Sequence, residues 1–227
     1  MRYAVISSIA AISTAHAAIT ISLPGNSEFA KWGQLRSSNY PGAGGSSSFV
    51  NTTGAWAGPI AANTPVTSSA VFSKVSGGGY FASTSVYDAG TSGNFKLADA
   101  SPITNLKTLV LQLDTGAPVG VAPVLHYNGG SQSLLANFNT TSTGNYLSGF
   151  GGPPSPTTNY AWQWDFSSVA GSITSYEVTW GSLTNNHLTQ YEIHLSTGDS
   201  FVQVVPEPSA ALIGSLATLA LFRRRRN

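Results

Sequence analysis

Leu106-Lys107-Thr108-Leu109-Val110-Leu111-Gln112-Leu113 decides the fold: it is nearly continuously apolar and reads as a central β-strand. Outward from it, Val121 to Tyr127, Leu134 to Phe138, Tyr160 to Phe166, Ile173 to Trp180 and Tyr191 to Leu195 are short β-branched and aromatic runs. Clusters of Gly, Pro, Asn and Ser separate them, the pattern of an all-β sandwich or barrel. Phe201 to Val205 is expected to be the last strand, and Ala18 to Ser22, which alternates, the first. Ala70 to Val75 and Tyr80 to Tyr87 are expected to pair across Ser76-Gly77-Gly78-Gly79, a loop that needs glycine freedom. Asn39 to Gly54 and Thr140 to Thr158 are low in complexity, and the second, with Gly149 to Pro156 inside it, is expected to be a loop. No helical periodicity exceeds two turns between Ala18 and Val205, and there is no internal repeat. The expected architecture is one β-sandwich over residues 18–203, with jelly-roll connectivity as its named variant.

Composition narrows the function. Cysteine is absent, so neither a disulfide framework nor thiolate chemistry is available. Only 8% of residues are charged, far below the roughly 25% of ordinary globular chains. Arg2 and the run Arg223 to Arg226 hold five of the ten bases. Between Ala18 and Val205, five bases face eight acids, a net −3. A weakly acidic domain with scattered bases has no footprint for a phosphate backbone, so nucleic acid is not an expected partner.

Both ends of the chain look like address labels. Met1-Arg2-Tyr3 supplies one positive charge, and the apolar run Ala4 to Ala15 follows. Ala15-His16-Ala17 then has the small-x-small pattern that signal peptidase cuts, so residues 1–17 are an expected signal peptide. At the other end, Val205-Pro206-Glu207-Pro208 precedes the charge-free stretch Ser209 to Phe222, and Arg223, Arg224, Arg225, Arg226 and Asn227 close the chain. Two prolines so close together make a stiff spacer. The fourteen residues after them are good helix formers and would reach about 21 Å as a helix, short of the roughly 30 Å hydrocarbon core. Arginine side chains can snorkel to the interface, and the cluster orients the C-terminus toward the cytoplasm.

The Val205 to Pro208 motif, the hydrophobic stretch and the arginine cluster together resemble the sorting tail of PEP-CTERM proteins. The resemblance covers residues 204–227 and says nothing about the fold before them. It implies recognition by exosortase, a membrane-embedded cysteine protease-transpeptidase. Processing would fall near Pro206-Glu207-Pro208, with delivery to the cell surface or extracellular matrix of an exopolysaccharide-producing Gram-negative bacterium. The motif is then a substrate for another enzyme.

Within the domain, strand parity puts Trp162, Trp164 and Phe166 on one face and Gln163 and Asp165 on the other. It likewise groups Tyr176, Val178 and Trp180 against Ser175, Glu177 and Thr179. Such strips could stack on sugar rings, but large aromatics more often fill cores. Trp32 and Trp56 lie in loop-like sequence and are the candidates for exposed ligand stacking. A glycosidase needs two carboxylates across a cleft, and Asp165, Glu177 and Glu192 are the acids that the expected strands carry. His126, His187 and His194 lack the spacing of a zinc pair, and no metal or cofactor is expected. Gly198-Asp199-Ser200 resembles the nucleophile block of a lipase-like hydrolase family, but no histidine follows it, so it reads as a turn.

The expected function is a non-catalytic cell-surface or matrix component, exopolysaccharide-associated or carbohydrate-binding. Its partners would be signal peptidase and exosortase as processing enzymes, and the membrane through the tail. The alternative is a secreted polysaccharide-degrading enzyme that uses strand carboxylates. The cleavage pattern predicts a mature N-terminus at Ala18. N-terminal sequencing of the protein from the cell envelope should read Ala18-Ile19-Thr20, and an intact Met1 there would refute the signal peptide.

Overall fold

A computed structural model describes residues 21–40, 54–63, 66–82, 85–87, 92–116, 118–130, 132–146, 155–182 and 189–205. The expected signal peptide (1–17), His187 and the tail from Pro206 onward lie outside these residues. The described residues form strands β1 (Ser27–Trp32), β2 (Ile60–Ala61), β3 (Val71–Gly77), β4 (Tyr80–Phe81), β5 (Val86–Tyr87), β6 (Gly93–Asp99) and β7 (Thr108–Thr115). They continue with β8 (Val119–Tyr127), β9 (Gln132–Leu135), β10 (Phe138–Tyr146), β11 (Ser155–Asp165), β12 (Tyr176–Ser182) and β13 (Thr189–Gly198). A seven-stranded sheet runs β10-β11-β7-β13-β5-β4, with β1 also on β13, and a six-stranded sheet runs β2-β3-β6-β12-β8-β9. Every strand pair is antiparallel, and the two sheets pack face to face as a sandwich.

The Leu106 to Leu113 run is central, as its composition predicts: β7 lies between β11 and β13. Its inner side chains Leu109, Leu111 and Leu113 enter the core between the sheets. Its outward Val110 is buried as well, because Ile21, Leu23, Val204 and Val205 gather over it with Ala161 and Phe138. Two-sided burial is what removes polar alternation from a strand sequence.

Aromatic rings fill one end of the core. Phe72 stacks on Trp180 at 5.7 Å, and the edge of Trp56 meets the same Phe72 at 5.1 Å. Phe95, Phe81 and Trp32 complete this group. At the other end are Trp164, Phe166, Tyr176 and Val178, all buried, as parity predicts. Trp162 is also buried and stacks on Tyr160 at 5.3 Å.

Several local expectations fail for identifiable reasons. Ala70 to Val75 and Tyr80 to Tyr87 do not pair: β3 joins β2 and β6 in one sheet, while β4 and β5 pair in the other. The Gly77-Gly78-Gly79 stretch carries the chain between sheets, and Gly77 (φ +72°) and Gly79 (φ +119°) take backbone angles that a side chain resists. Gly77 is also pressed against the Ser92 carbonyl, leaving no room for a Cβ. The described ends of the expected loop Thr140 to Thr158 are strand, with β10 and β11 in register from Phe138 opposite Gln163 to Tyr146 opposite Ser155, while residues 147–154, which hold most of the Gly149 to Pro156 stretch, lie outside the described residues. The threonines of these ends are β-branched and suit a pleat although they are polar. Leu134 to Phe138 is two strands rather than one, because the chain changes sheets at Ala136-Asn137. Among the described residues the first strand begins at Ser27 and Ile21 and Ser22 precede it, while Ala18 to Thr20 lie outside the described residues; Phe201 to Val205 forms no strand. The Gln163 side chain holds that last segment instead.

Trp164 and Trp180 are sealed in the core. Trp164→Ala and Trp180→Ala should each cost about 3–5 kcal/mol. That is a large part of the roughly 5–15 kcal/mol holding a typical domain together. Chemical denaturation of each variant measures this, and midpoints equal to the parent's would take the residue out of the core.

Candidate functional site

The outward face of the seven-stranded sheet carries a polar band. Alternation along β13 turns Ile193 and Leu195 into the core and leaves Glu192 and His194 on the opposite face. On β7 the same rule groups Gln112 and Asp114 opposite Leu111 and Leu113. Register then aligns the band across the sheet: Asn159 opposes Asp114, Asp114 opposes Glu192, Gln112 opposes His194, and His194 opposes Lys31.

Glu192 is the electrostatic centre of the band. Its Oε2 lies 3.2 Å from Lys31 Nζ and 3.1 Å from His194 Nε2. Only an N–H can bond an ionised carboxylate, so His194 carries its proton on Nε2 in this arrangement. Burial works to raise the Glu192 carboxyl, but the His194 hydrogen bond and the Lys31 charge outweigh it and hold the group below its ordinary value. Asp114 goes the other way. Burial pushes it up to about 6, and the Glu192 charge adds to this, while the Thr157 hydroxyl and His194 oppose it.

Two carboxyls on paired strands with values driven apart make the pattern of a general acid beside an ionised partner. One oxygen of the Asp114 carboxyl faces the protein interior. Asp114 Oδ1, Thr157 Oγ1 and Asn159 Nδ2 are shut off from solvent, with the Thr157 hydroxyl facing the Asp114 carboxyl.

The three acids singled out by sequence are not brought together. Asp165 ends β11, and its Oδ1 accepts the Ser167 N–H at 2.7 Å, closing a turn. Glu177 lies on the other sheet, where Lys96 Nζ donates to it at 2.8 Å and His126 is its cross-strand neighbour. Asp114 escapes a reading that ends its strand at Leu113, because β7 runs two residues further. Gly198-Asp199-Ser200 is a bend, as expected: Asp199 Oδ1 accepts the Asn26 N–H at 3.0 Å, and the Asp199 N–H returns a bond to the Asn26 carbonyl at 3.0 Å.

The stacking candidates are overturned. Trp32 is 0% exposed on β1, with Nε1–H donated to the Ile60 carbonyl at 3.1 Å. Trp56 is 8% exposed, with Nε1–H donated to the Gly79 carbonyl at 3.1 Å. Their flanking glycines, serines and asparagines suggest loops, yet indoles of this size are drawn into the aromatic core. All five tryptophans of the chain are buried, so no exposed indole platform exists.

A second polar group sits inside the sandwich. The Asp99 carboxylate accepts from Ser69 Oγ at 2.7 Å, Ser101 N–H at 2.8 Å and Ser68 Oγ at 3.1 Å. Burial, reinforced by Asp99, raises Glu28, and burial lifts the Tyr176 hydroxyl well above its ordinary value. A cleft of about 200 Å³ opens beside it, lined by Asp99, His126, Tyr127, Gly129, Tyr176 and Glu177 among others. Among the described residues, no three histidine, aspartate or glutamate side chains are placed to hold a metal ion, and no helix is long and apolar enough to cross a membrane.

Comparison with protein-family models, with curated proteins and with solved structures finds no match. The behaviour of the band therefore has to be measured on this chain. A carboxyl whose folded value lies above its unfolded one contributes fully below about pH 4, and that contribution is lost as pH rises through its folded value. For Asp114 the loss is complete above about 6. Asp114→Asn should therefore be more stable than the parent by about 1–2 kcal/mol above that pH, after discounting for partial exposure. The gain should vanish near pH 4. Denaturation at the two pH values checks this, and an equal gain at both would assign the effect to packing.

Proposed function

We propose that the chain is an exported protein, carried out by its signal peptide and sorted by exosortase through its PEP-CTERM-like tail to the cell surface or extracellular matrix. There the sandwich acts as a non-catalytic component that associates with exopolysaccharide. The observation that carries this reading is the pair of terminal motifs, Ala15-His16-Ala17 after an apolar run and Val205-Pro206-Glu207-Pro208 before an apolar stretch and an arginine cluster, and the fold suits it. Ile21 and Leu23 pack in one cluster with Val204 and Val205 on the outward face of the seven-stranded sheet. A folded body that brings these two segments together suits a leader and a tail inserted from the same side of one membrane.

The surface chemistry supports a neutral polymer as partner. With 8% charged residues, the domain meets its surroundings largely through Ser, Thr, Asn and backbone groups. These match sugar hydroxyls, which donate and accept together. The separation of Asp165, Glu177 and Glu192, each engaged by its own partner, speaks against the polysaccharide-degrading alternative. A glycan-array screen of residues 18–205 would identify the polymer.

Deleting Pro206 to Asn227 should release a folded, soluble domain into the periplasm or medium. Fractionation and circular dichroism check this. A truncated chain that aggregates or loses its β-type spectrum would make the tail part of the fold, and one that stays in the membrane fraction would remove the anchor role.

A further inference from the structure

We propose that Gln163 is a latch that holds residues 202–205 against the folded domain and shields them from proteolytic processing. Gln163 lies on β11 with 0% exposure, and it faces the outward side of the sheet. Its Nε2 donates to the Val202 carbonyl at 2.7 Å and to Thr108 Oγ1 at 3.0 Å. Its Oε1 accepts the N–H groups of Val204 at 2.9 Å and Val205 at 3.1 Å. Both donors and both acceptor positions of the amide are thus in use. One side chain supplies the backbone pairing that residues 201–205, which form no strand, do not obtain from a neighbouring strand.

Packing reinforces the latch. Val205 is 0% exposed beside Val110 and Ala161, and Phe201 stacks on Phe138 at 6.0 Å. Enzymes that grip an extended peptide use its main-chain N–H and C=O groups. In this segment the groups of Val202, Val204 and Val205 that would serve are held by Gln163. A bond within residues 202–205 can be cut only after the segment peels away, and local opening of that kind is a small, measurable equilibrium. The window for tail processing therefore begins beyond Val205.

The test has two arms, and only the second rests on the exosortase reading. In the first, purified full-length protein is treated with a broad-specificity serine protease, and the surviving C-terminus is read by intact mass. A synthetic peptide of residues 199–208 serves as the unfolded reference. The parent should be trimmed no further than Val205. Gln163→Ala, shown by circular dichroism to keep its β-type spectrum, should lose residues 202–205 about tenfold faster or more. Gln163→Glu keeps the acceptor for Val204 and Val205 but loses the donor to Val202, so its rate should fall between the two. A parent that loses residues 202–205 as fast as the peptide overturns the latch, whether or not the variants fold. In the second arm, the protein is recovered from cells that make it. A processed chain ending at Val205 or later supports the window, and one ending earlier overturns it. A chain that keeps its entire tail counts against exosortase sorting, leaving the first arm to decide the latch.

Discussion

The burial of β7 on both faces is the constraint on which the rest of this structure depends. Its inner leucines are covered by the six-stranded sheet. Its outer valine would face water in an ordinary sandwich, whose sheets keep one solvated side. Here the two ends of the described chain form a partial third layer over Val110 and Ala161. At about 25 cal/mol per Å² of apolar surface, closing even a small patch is worth a few kcal/mol. The same closure explains Gln163, because backbone groups laid over a sheet face must find partners once water is excluded.

The two regions of that outward face treat buried polar groups differently. Around Gln163 every amide position is matched, and a matched buried network rigidifies the structure around it. In the band through Asp114, Asn159 and Thr157, the Asn159 Nδ2 is buried without a partner. Such an atom costs about 1–3 kcal/mol of desolvation that no hydrogen bond returns. Burial raises the Asp114 carboxyl for the same reason, since a neutral acid is cheaper to enclose than an ion. The Glu192 carboxylate next to it is held below its ordinary value because Lys31 and the His194 N–H engage it.

Legibility in the sequence follows from how many layers decide a residue's fate. The strands around Trp164 and Trp180 are legible because two-residue alternation expresses one buried face and one open one. Thr140 to Tyr146 is misjudged because threonine is polar yet β-branched, and the pleat uses its branching. The crossing at Gly77 to Gly79 is misjudged because a glycine-rich turn looks alike whether its strands pair or part to different sheets. Gln163 is the least legible: parity correctly places it opposite Trp162 and Trp164, on a face expected to be open. Nothing local reports that residues 201–205 return to cover it. Trp32 and Trp56 fail likewise, since their loop-like neighbours are local while the rings that enclose them come from β3, β4 and β6.

The meeting of the two ends also bears on how such a chain could fold at a membrane. On the proposed reading, both ends of the domain are tethered to one bilayer face until processing. For a flexible chain, bringing distant ends together costs free energy that grows with the logarithm of its length. A sandwich whose ends separate to opposite poles would have to work against a double tether as it folds. In this domain the tether and the native structure ask for the same proximity, because Ile21, Leu23, Val204 and Val205 already share one cluster. The reciprocal pair between Asn26 and Asp199 fastens the chain again a few residues inward from each end. Double tethering would therefore lower the entropy of the unfolded chain without straining the folded one, the condition under which a cross-link stabilises.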